Sequence, residues 1–182
     1  MNKNAPMLIP LQCLKCQASL PAEVDEVAWV CPICGQAALL DDSQPAGLAP
    51  LEIHYAAAMR NIPQPGRPFW VAEGVVAVTR QTYRGDESRQ AQEFWQKPRT
   101  FFVPAFACSL VDLVSLGMRF LRQPIVPTPG QPAPFLPVKL SPGDVYPMAE
   151  FIIMGMEAER KDMLKSVQIQ LKLAPPVLWV LP

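Results

Sequence analysis

Four of the five cysteines in this 182-residue chain stand in two Cys-x-x-Cys pairs, a spacing that suits metal coordination. The first pair is Cys13 and Cys16, and the second is Cys31 and Cys34. Each pair can present both sulfurs of a tight turn to one point, and a hairpin between them brings the two turns face to face. The spacing therefore predicts tetrahedral coordination of one ion. Because protein thiolates would fill all four positions, we expect the site to be structural and not catalytic.

The segment around these pairs, about residues 11–36, resembles the zinc-ribbon family. Its second turn, Cys31-Pro32-Ile33-Cys34-Gly35, also resembles a rubredoxin knuckle. The first turn departs from the family pattern, with Leu14 where proline is common and Gln17 where glycine is common. The resemblance implies one structural Zn²⁺ per chain, with iron or disulfides as the alternatives. A segment this short has too little core to fold unaided, so the metal would supply much of its stability.

The N-terminus shows no apolar run of the kind found in signal peptides, because Pro6 and Pro10 interrupt it. We therefore expect a cytoplasmic protein, in which paired cysteines bind metal rather than form disulfides. The longest apolar stretch, residues 101–118, contains a proline and an aspartate and is shorter than the roughly 20 residues of a membrane-spanning helix. We expect no transmembrane span, while a peripheral contact with a membrane stays open.

The charge balance argues against a strong attraction to nucleic acid. The chain has 16 lysines and arginines and 16 aspartates and glutamates, and half of its residues are hydrophobic, as in globular proteins. Residues 1–42 carry two cations and five anions. Nucleic-acid binding, a common role of zinc ribbons, is therefore disfavoured. Trp29 could stack on a base, but we expect it to form the small core of the cysteine hairpin.

Changes in composition predict the domain organisation. Residues 1–10 read as an N-terminal tail, 11–40 as the zinc ribbon, and 41–50 as a polar linker containing proline and glycine. Residues 51–182 would form a second domain. Within it, the segment 123–143 contains seven prolines, which favour an extended polyproline conformation that can connect elements or dock on a partner.

Hydrophobic periodicity predicts the elements of the second domain. Ser109 followed by Asp112 is typical of a helix start, and a second helix is expected from Asp144 to near Lys165. The predicted strands are Leu51–Tyr55, Phe69–Tyr83, Thr100–Phe106, Val167–Leu173 and Val177–Leu181. Pro104 would place its strand at an edge or a bulge. The sequence therefore predicts an α+β fold: a zinc ribbon followed by a mixed domain with a mostly antiparallel sheet and two helices.

Few residues outside the ribbon are candidates for catalysis. Cys108 and His54 are the remaining thiol and imidazole, so a Cys-His nucleophilic pair would have to be these two. A buried small side chain and a histidine on a strand edge are the plainer interpretations. The common phosphate-binding, dinucleotide, serine-hydrolase and zincin motifs do not occur in the sequence. The tripeptide Arg84-Gly85-Asp86 is interpreted as a turn and not as a recognition motif, because glycine and aspartate are typical turn residues. We expect the protein not to be an enzyme.

Trp95 and Arg99 are the candidate partner-binding residues. They would combine with the segment 123–143 beside an exposed aromatic sheet edge formed by Phe69, Trp70, Phe101, Phe102 and Phe106. The alternative is that Trp70, Trp95 and Arg99 all pack inside their own domain. Our leading hypothesis is a non-enzymatic zinc-ribbon adaptor or assembly protein that binds another protein. The complexes considered include membrane-associated ones. A nucleic-acid-binding accessory factor is the first alternative, and an enzyme of unrecognised type is the second.

Overall fold

The computed structural model describes residues 9–57 and 64–182, so the predicted tail is described only from residue 9. The strands of this part of the chain are β1 (Ala28–Val30), β2 (Ala37–Leu40), β3 (Leu48–Leu51), β4 (Ile53–Tyr55), β5 (Arg67–Arg84), β6 (Arg99–Pro104), β7 (Met163–Leu173) and β8 (Val177–Leu181). Its α-helices are α1 (Ser88–Trp95), α2 (Leu110–Arg122) and α3 (Val145–Ala158). The sheets are mostly antiparallel. The predicted α+β class is confirmed, with three helices instead of two.

The first sheet has the antiparallel order β1-β2-β3 and contains the cysteine hairpin. The turn from Cys31 to Cys34 joins β1 to β2, and the first cysteine pair lies in a turn closed by a bridge between Gln12 and Ser19. Residues 48–50, predicted as part of a linker, belong to β3. Leu48 is buried in the core around the cysteines, and this burial gives the third strand a reason to pair with β2.

The second sheet is built around the long strand β5. Its order is β4-β8-β5-β6, and β7 also pairs with β5. β7 and β8 follow each other along β5, since Gly74 pairs with Leu173 and Val71 pairs with Val177. Ala174, Pro175 and Pro176 separate the two strands, as the double proline predicted. The strand β6 ends the sheet on the other side, in agreement with the edge position predicted from Pro104.

Helices α2 and α3 pack against each other; α2 also packs against β6, and α3 packs against β6 and β7. The side chain of Ser109 accepts a hydrogen bond from the backbone N–H of Asp112, so the predicted cap of α2 is present. A Cβ atom at Gly155 would lie 2.7 Å from Val114, so glycine permits the close approach of the two helices. The helix α3 ends at Ala158, one and a half to two turns before the predicted end near Lys165.

The proline-rich segment 123–143, called the strap below, contains no α-helix and no strand of the two sheets. Its backbone is nevertheless bonded to distant parts of the chain. The N–H of Ala57 donates to the carbonyl of Thr128, and the N–H of Leu136 donates to that of Gly66. The strap therefore runs over the end of the larger sheet and is fixed to it at more than one point.

Candidate metal centre

The four predicted cysteine ligands converge on one point. Their Sγ atoms all lie within 4.8 Å of one another. The Sγ atoms of Cys13 and Cys34 are 3.5 Å apart, as are those of Cys16 and Cys31. A tetrahedral site with metal–sulfur bonds of about 2.3 Å has sulfur–sulfur edges of about 3.8 Å. The four thiols are thus positioned to coordinate a single metal ion.

The two cysteine turns share one backbone geometry. In the first turn the N–H of Gln17 donates to the carbonyl of Cys13 at 3.0 Å, and in the second the N–H of Gly35 donates to that of Cys31 at 2.9 Å. Gln17 and Gly35 both have positive φ angles, 61° and 73°. Glycine adopts this conformation without cost, whereas glutamine is strained there. The departure from the family pattern at Gln17 therefore leaves the turn intact.

Backbone amides favour the thiolate forms of the first cysteine in each turn. The N–H groups of Cys16 and Lys15 lower the pKa of Cys13 to about 6. The N–H groups of Cys34 and Ile33 likewise lower the pKa of Cys31. Since metal ions bind the thiolate, these amides prepare two of the four ligands.

Crowding of the four sulfurs acts in the opposite direction on Cys16. Although the N–H of Ala18 lowers its pKa, burial and the neighbouring thiols raise it to about 12. Thiolates at this spacing repel one another, and a divalent cation at their centre would stabilise all four. The donor set therefore fits a metal ion better than four free thiols.

A small apolar core supports the cysteine turns. Trp29 is buried in it together with Leu20 and Leu48, which confirms the prediction that Trp29 forms the core of the hairpin. The indole N–H of Trp29 donates to a carboxylate oxygen of Glu26 at 3.0 Å. This core holds the turns in place, with the four Sγ atoms within 4.8 Å of one another, where they can coordinate one metal ion.

The structure places the predicted partner-binding residues differently from the prediction. Trp95 is only 3% exposed, and its indole N–H donates to Glu157 at 2.8 Å. The prediction that Trp95 forms a contact surface is therefore wrong. Arg99 is half-buried, its Nε donates to the carbonyl of Phe94 at 3.0 Å, and its guanidinium lies 3.9 Å from the Phe94 ring centroid. A partner contact at Arg99 stays a prediction.

The aromatic surface predicted beside Pro104 is also not available. Four of its five members are buried and Phe106 is half-buried; the buried residues are Phe69, Trp70, Phe101 and Phe102. Helix α2 packs on β6, and its Phe120 stacks on Phe102 with ring centroids 4.6 Å apart. The helix thus covers aromatic residues of the edge strand instead of leaving them for a partner.

A buried cluster of charged residues escaped sequence analysis. Arg80 in β5 lies 2.9 Å from the carboxylate of Glu157 and 2.7 Å from that of Asp162. Arg160 pairs with Glu157 at 2.8 Å. Arg80 and the backbone N–H of Glu87 lower the pKa of Asp162. One sequence signal indicated that Arg80 is buried. Arg80 follows Val76 and Val78 at every second position of β5, and these positions face inward.

His54 and Cys108 lie in different surroundings. His54 stacks on Trp179 with ring centroids 5.0 Å apart, and its Nε2 lies 3.7 Å from Glu52. Cys108 is exposed just before α2. His54 thus has the strand position that sequence analysis gave as its plainer interpretation, whereas the expectation that Cys108 is buried is wrong.

Comparisons with protein-family models, curated proteins and solved structures find no match to this chain. In residues 9–57 and 64–182, none of the helices has the length and apolar character needed to cross a membrane. The described residues form an α+β fold with a four-cysteine candidate metal centre.

Proposed function

We propose that the four cysteines hold one structural Zn²⁺ per chain. Zinc prefers tetrahedral sites, and four thiolates on two turns are a typical structural donor set for it. The backbone N–H groups that lower the pKa of Cys13 and Cys31 favour the thiolate form that a metal ion binds. Iron would use the same ligands and is the alternative that the test distinguishes.

Metal analysis and absorption spectroscopy of the purified chain test this assignment. We expect one zinc per chain and no visible thiolate-to-iron absorption band. Cys31→Ser should lower the zinc content and disorder the ribbon, whereas Cys108→Ser should change neither, because Cys108 lies outside the cluster. A red protein containing iron, or a Cys31→Ser protein that keeps a full zinc equivalent, would contradict the assignment.

We further propose that the protein is a non-enzymatic adaptor or assembly protein that binds another protein through the strap. The observation that carries this proposal is the exposure of apolar residues in the first part of the strap. Val126 is 93% exposed and Ile125 is 41% exposed, and Pro124 beside them is also exposed. An extended segment fixed at both ends loses little conformational entropy on binding.

The spacing of the prolines favours one kind of partner. Pro124 and Pro127 are three residues apart, and so are Pro129 and Pro132. Proline-rich segments with this PxxP spacing dock into aromatic-lined grooves of other proteins. The N–H of Ala57 donates to the carbonyl of Thr128 at 2.8 Å, and this bond fixes the C-terminal end of residues 124–127. We expect a partner with such a groove.

Affinity purification from the native cell with matched variants tests the docking segment. Pro124→Ala combined with Val126→Ser should abolish capture of a specific partner. Val24→Ser is the control, because Val24 is 81% exposed but lies in the ribbon. Retention of every co-purifying protein by the strap variant, or an equal loss with Val24→Ser, would contradict docking at this segment.

A further inference from the structure

A continuous path of backbone hydrogen bonds joins the cysteine turns to the larger sheet. The strand β1 leads directly into Cys31. The N–H of Val27, just before β1, donates to the carbonyl of Val138 in the strap at 2.9 Å. The next strap residue, Lys139, donates its N–H to the carbonyl of Ala105 at the end of β6, at 2.6 Å. The strand β1, the strap and the end of β6 therefore connect the metal ligands to the larger sheet.

Side-chain packing follows the same path. Ala28 belongs to β1 of the ribbon, yet it is buried in the core of the larger sheet and not in the core around the cysteines. Val138 is fully buried in that same core. Leu39 and Leu51, from β2 and β3, also pack against it. The ribbon thus completes one side of the main core, instead of standing apart behind a flexible linker.

We propose that metal binding at the four cysteines controls the folding of the whole chain, so that ribbon, strap and larger sheet form one cooperative unit. This inference rests on the proposed zinc site. The ribbon has too small a core to stay folded without its metal. When the metal leaves, β1 is no longer held, the strap loses its bond from Val27, and Val138 and Ala28 become exposed. Metal removal therefore acts on the helices, far from the cysteines.

Thermal unfolding of the purified full-length zinc protein tests the coupling. Far-ultraviolet circular dichroism reports the helices, and a zinc-binding dye reports metal release. We expect both signals to change at the same midpoint, and chelation before heating to lower the helical midpoint by roughly 10 °C or more. If chelation leaves the helical midpoint unchanged, the proposal is wrong.

Hydrogen exchange gives a second measurement that needs no substitution. After chelation, the amides of Lys139 and Leu140, which donate to Ala105, should lose protection together with the ribbon amide of Cys31. Loss of protection confined to the ribbon would overturn the proposal. This outcome leaves the zinc assignment standing, whereas a protein that binds no metal overturns both.

Two valines of the strap provide matched variants. Val138→Ala removes buried contacts at the joint, whereas Val126→Ala changes a side chain that is exposed. We expect Val138→Ala to separate the midpoints of metal release and helix loss, and Val126→Ala to keep them together. Coupling through this joint would be ruled out if the midpoints of metal release and helix loss coincide in both variants and chelation leaves the helical midpoint unchanged.

Discussion

The four-cysteine cluster and the cluster of buried charged residues around Arg80 differ in how far apart their members lie in the sequence. In the candidate metal centre, Cys13 and Cys34 are 21 residues apart and lie on two short turns of the same N-terminal segment. In the charged cluster, Arg80 and Asp162 are 82 residues apart and meet only because β5 pairs with β7. The first cluster follows from local spacing. The second depends on the topology of the sheet.

The two clusters also differ in how their charge is balanced. Four thiolates would carry like charges, which a bound cation would offset. Two guanidinium groups and two carboxylates, from Arg80, Arg160, Glu157 and Asp162, neutralise one another without a ligand. Buried charges are costly unless they are paired, so removal of one member should be far more harmful than removal of an exposed ion pair.

The largest expected effect of breaking the charged cluster is that of Arg80→Ala. This change leaves Glu157 and Asp162 buried without one of their partners, and we expect a loss of about 3–5 kcal/mol in the free energy of unfolding. Arg89→Ala is the control, because Arg89 pairs with Glu93 on the exposed face of α1 at 2.9 Å. That substitution should cost no more than about 0.5 kcal/mol. Denaturant unfolding of both variants measures the difference, and equal losses would contradict the assigned role of the cluster.

The charged cluster also makes the stability of the protein depend on pH, through Asp162. Arg80 holds the pKa of Asp162 below its usual value, so the carboxylate contributes stability above the unfolded pKa of about 3.9. This contribution is lost as the pH falls through the lower pKa of the folded state. The stability difference between the wild type and Asp162→Asn should therefore be constant near neutral pH and shrink below about pH 4. A difference that grows on acidification would reverse the sign of this linkage.

The smallest predicted effect distinguishes the two cysteine turns. Gln17 occupies a left-handed conformation with a φ of 61°, where the second turn has Gly35. Replacement Gln17→Gly should relieve backbone strain and raise the free energy of unfolding by about 1 kcal/mol. At the corresponding position of the second turn, Gly35→Ala should lower the free energy of unfolding by a similar amount. Denaturant unfolding of the metal-loaded variants provides the measurement, and a destabilised Gln17→Gly variant would be inconsistent with strain at this residue.

Local signals predicted several elements well. The Ser109 cap placed the start of α2 correctly, and the valine-rich stretch after Phe69 became most of β5. The helix α1 was missed because its segment is mostly polar. Its buried residues Ala91 and Trp95 stand four positions apart, the spacing of one helical face, so a weak signal was present.

Two further errors share one physical cause, since each concerns which surface a residue contacts. Residues 48–50 looked like a linker, but Leu48 fills the core beside the cysteines and draws them into β3. Trp95 looked like an interface residue, but the sheet brings Glu157 to its indole N–H. Composition and periodicity describe a residue's preference for burial. They do not identify the distant partner that satisfies it.

Local sequence patterns were enough to predict the four converging cysteines, the α+β class and the helix α2, because each pattern involves residues close together in the chain. The three-stranded sheet of the cysteine segment shares a core with the larger sheet through Ala28 and Val138, and no sequence signal indicated this contact. Only the tertiary structure decided that Arg80 is buried among carboxylates contributed by residues 157 and 162. The physical reason is that these contacts form only when elements far apart in the chain are brought together by strand pairing and by the strap.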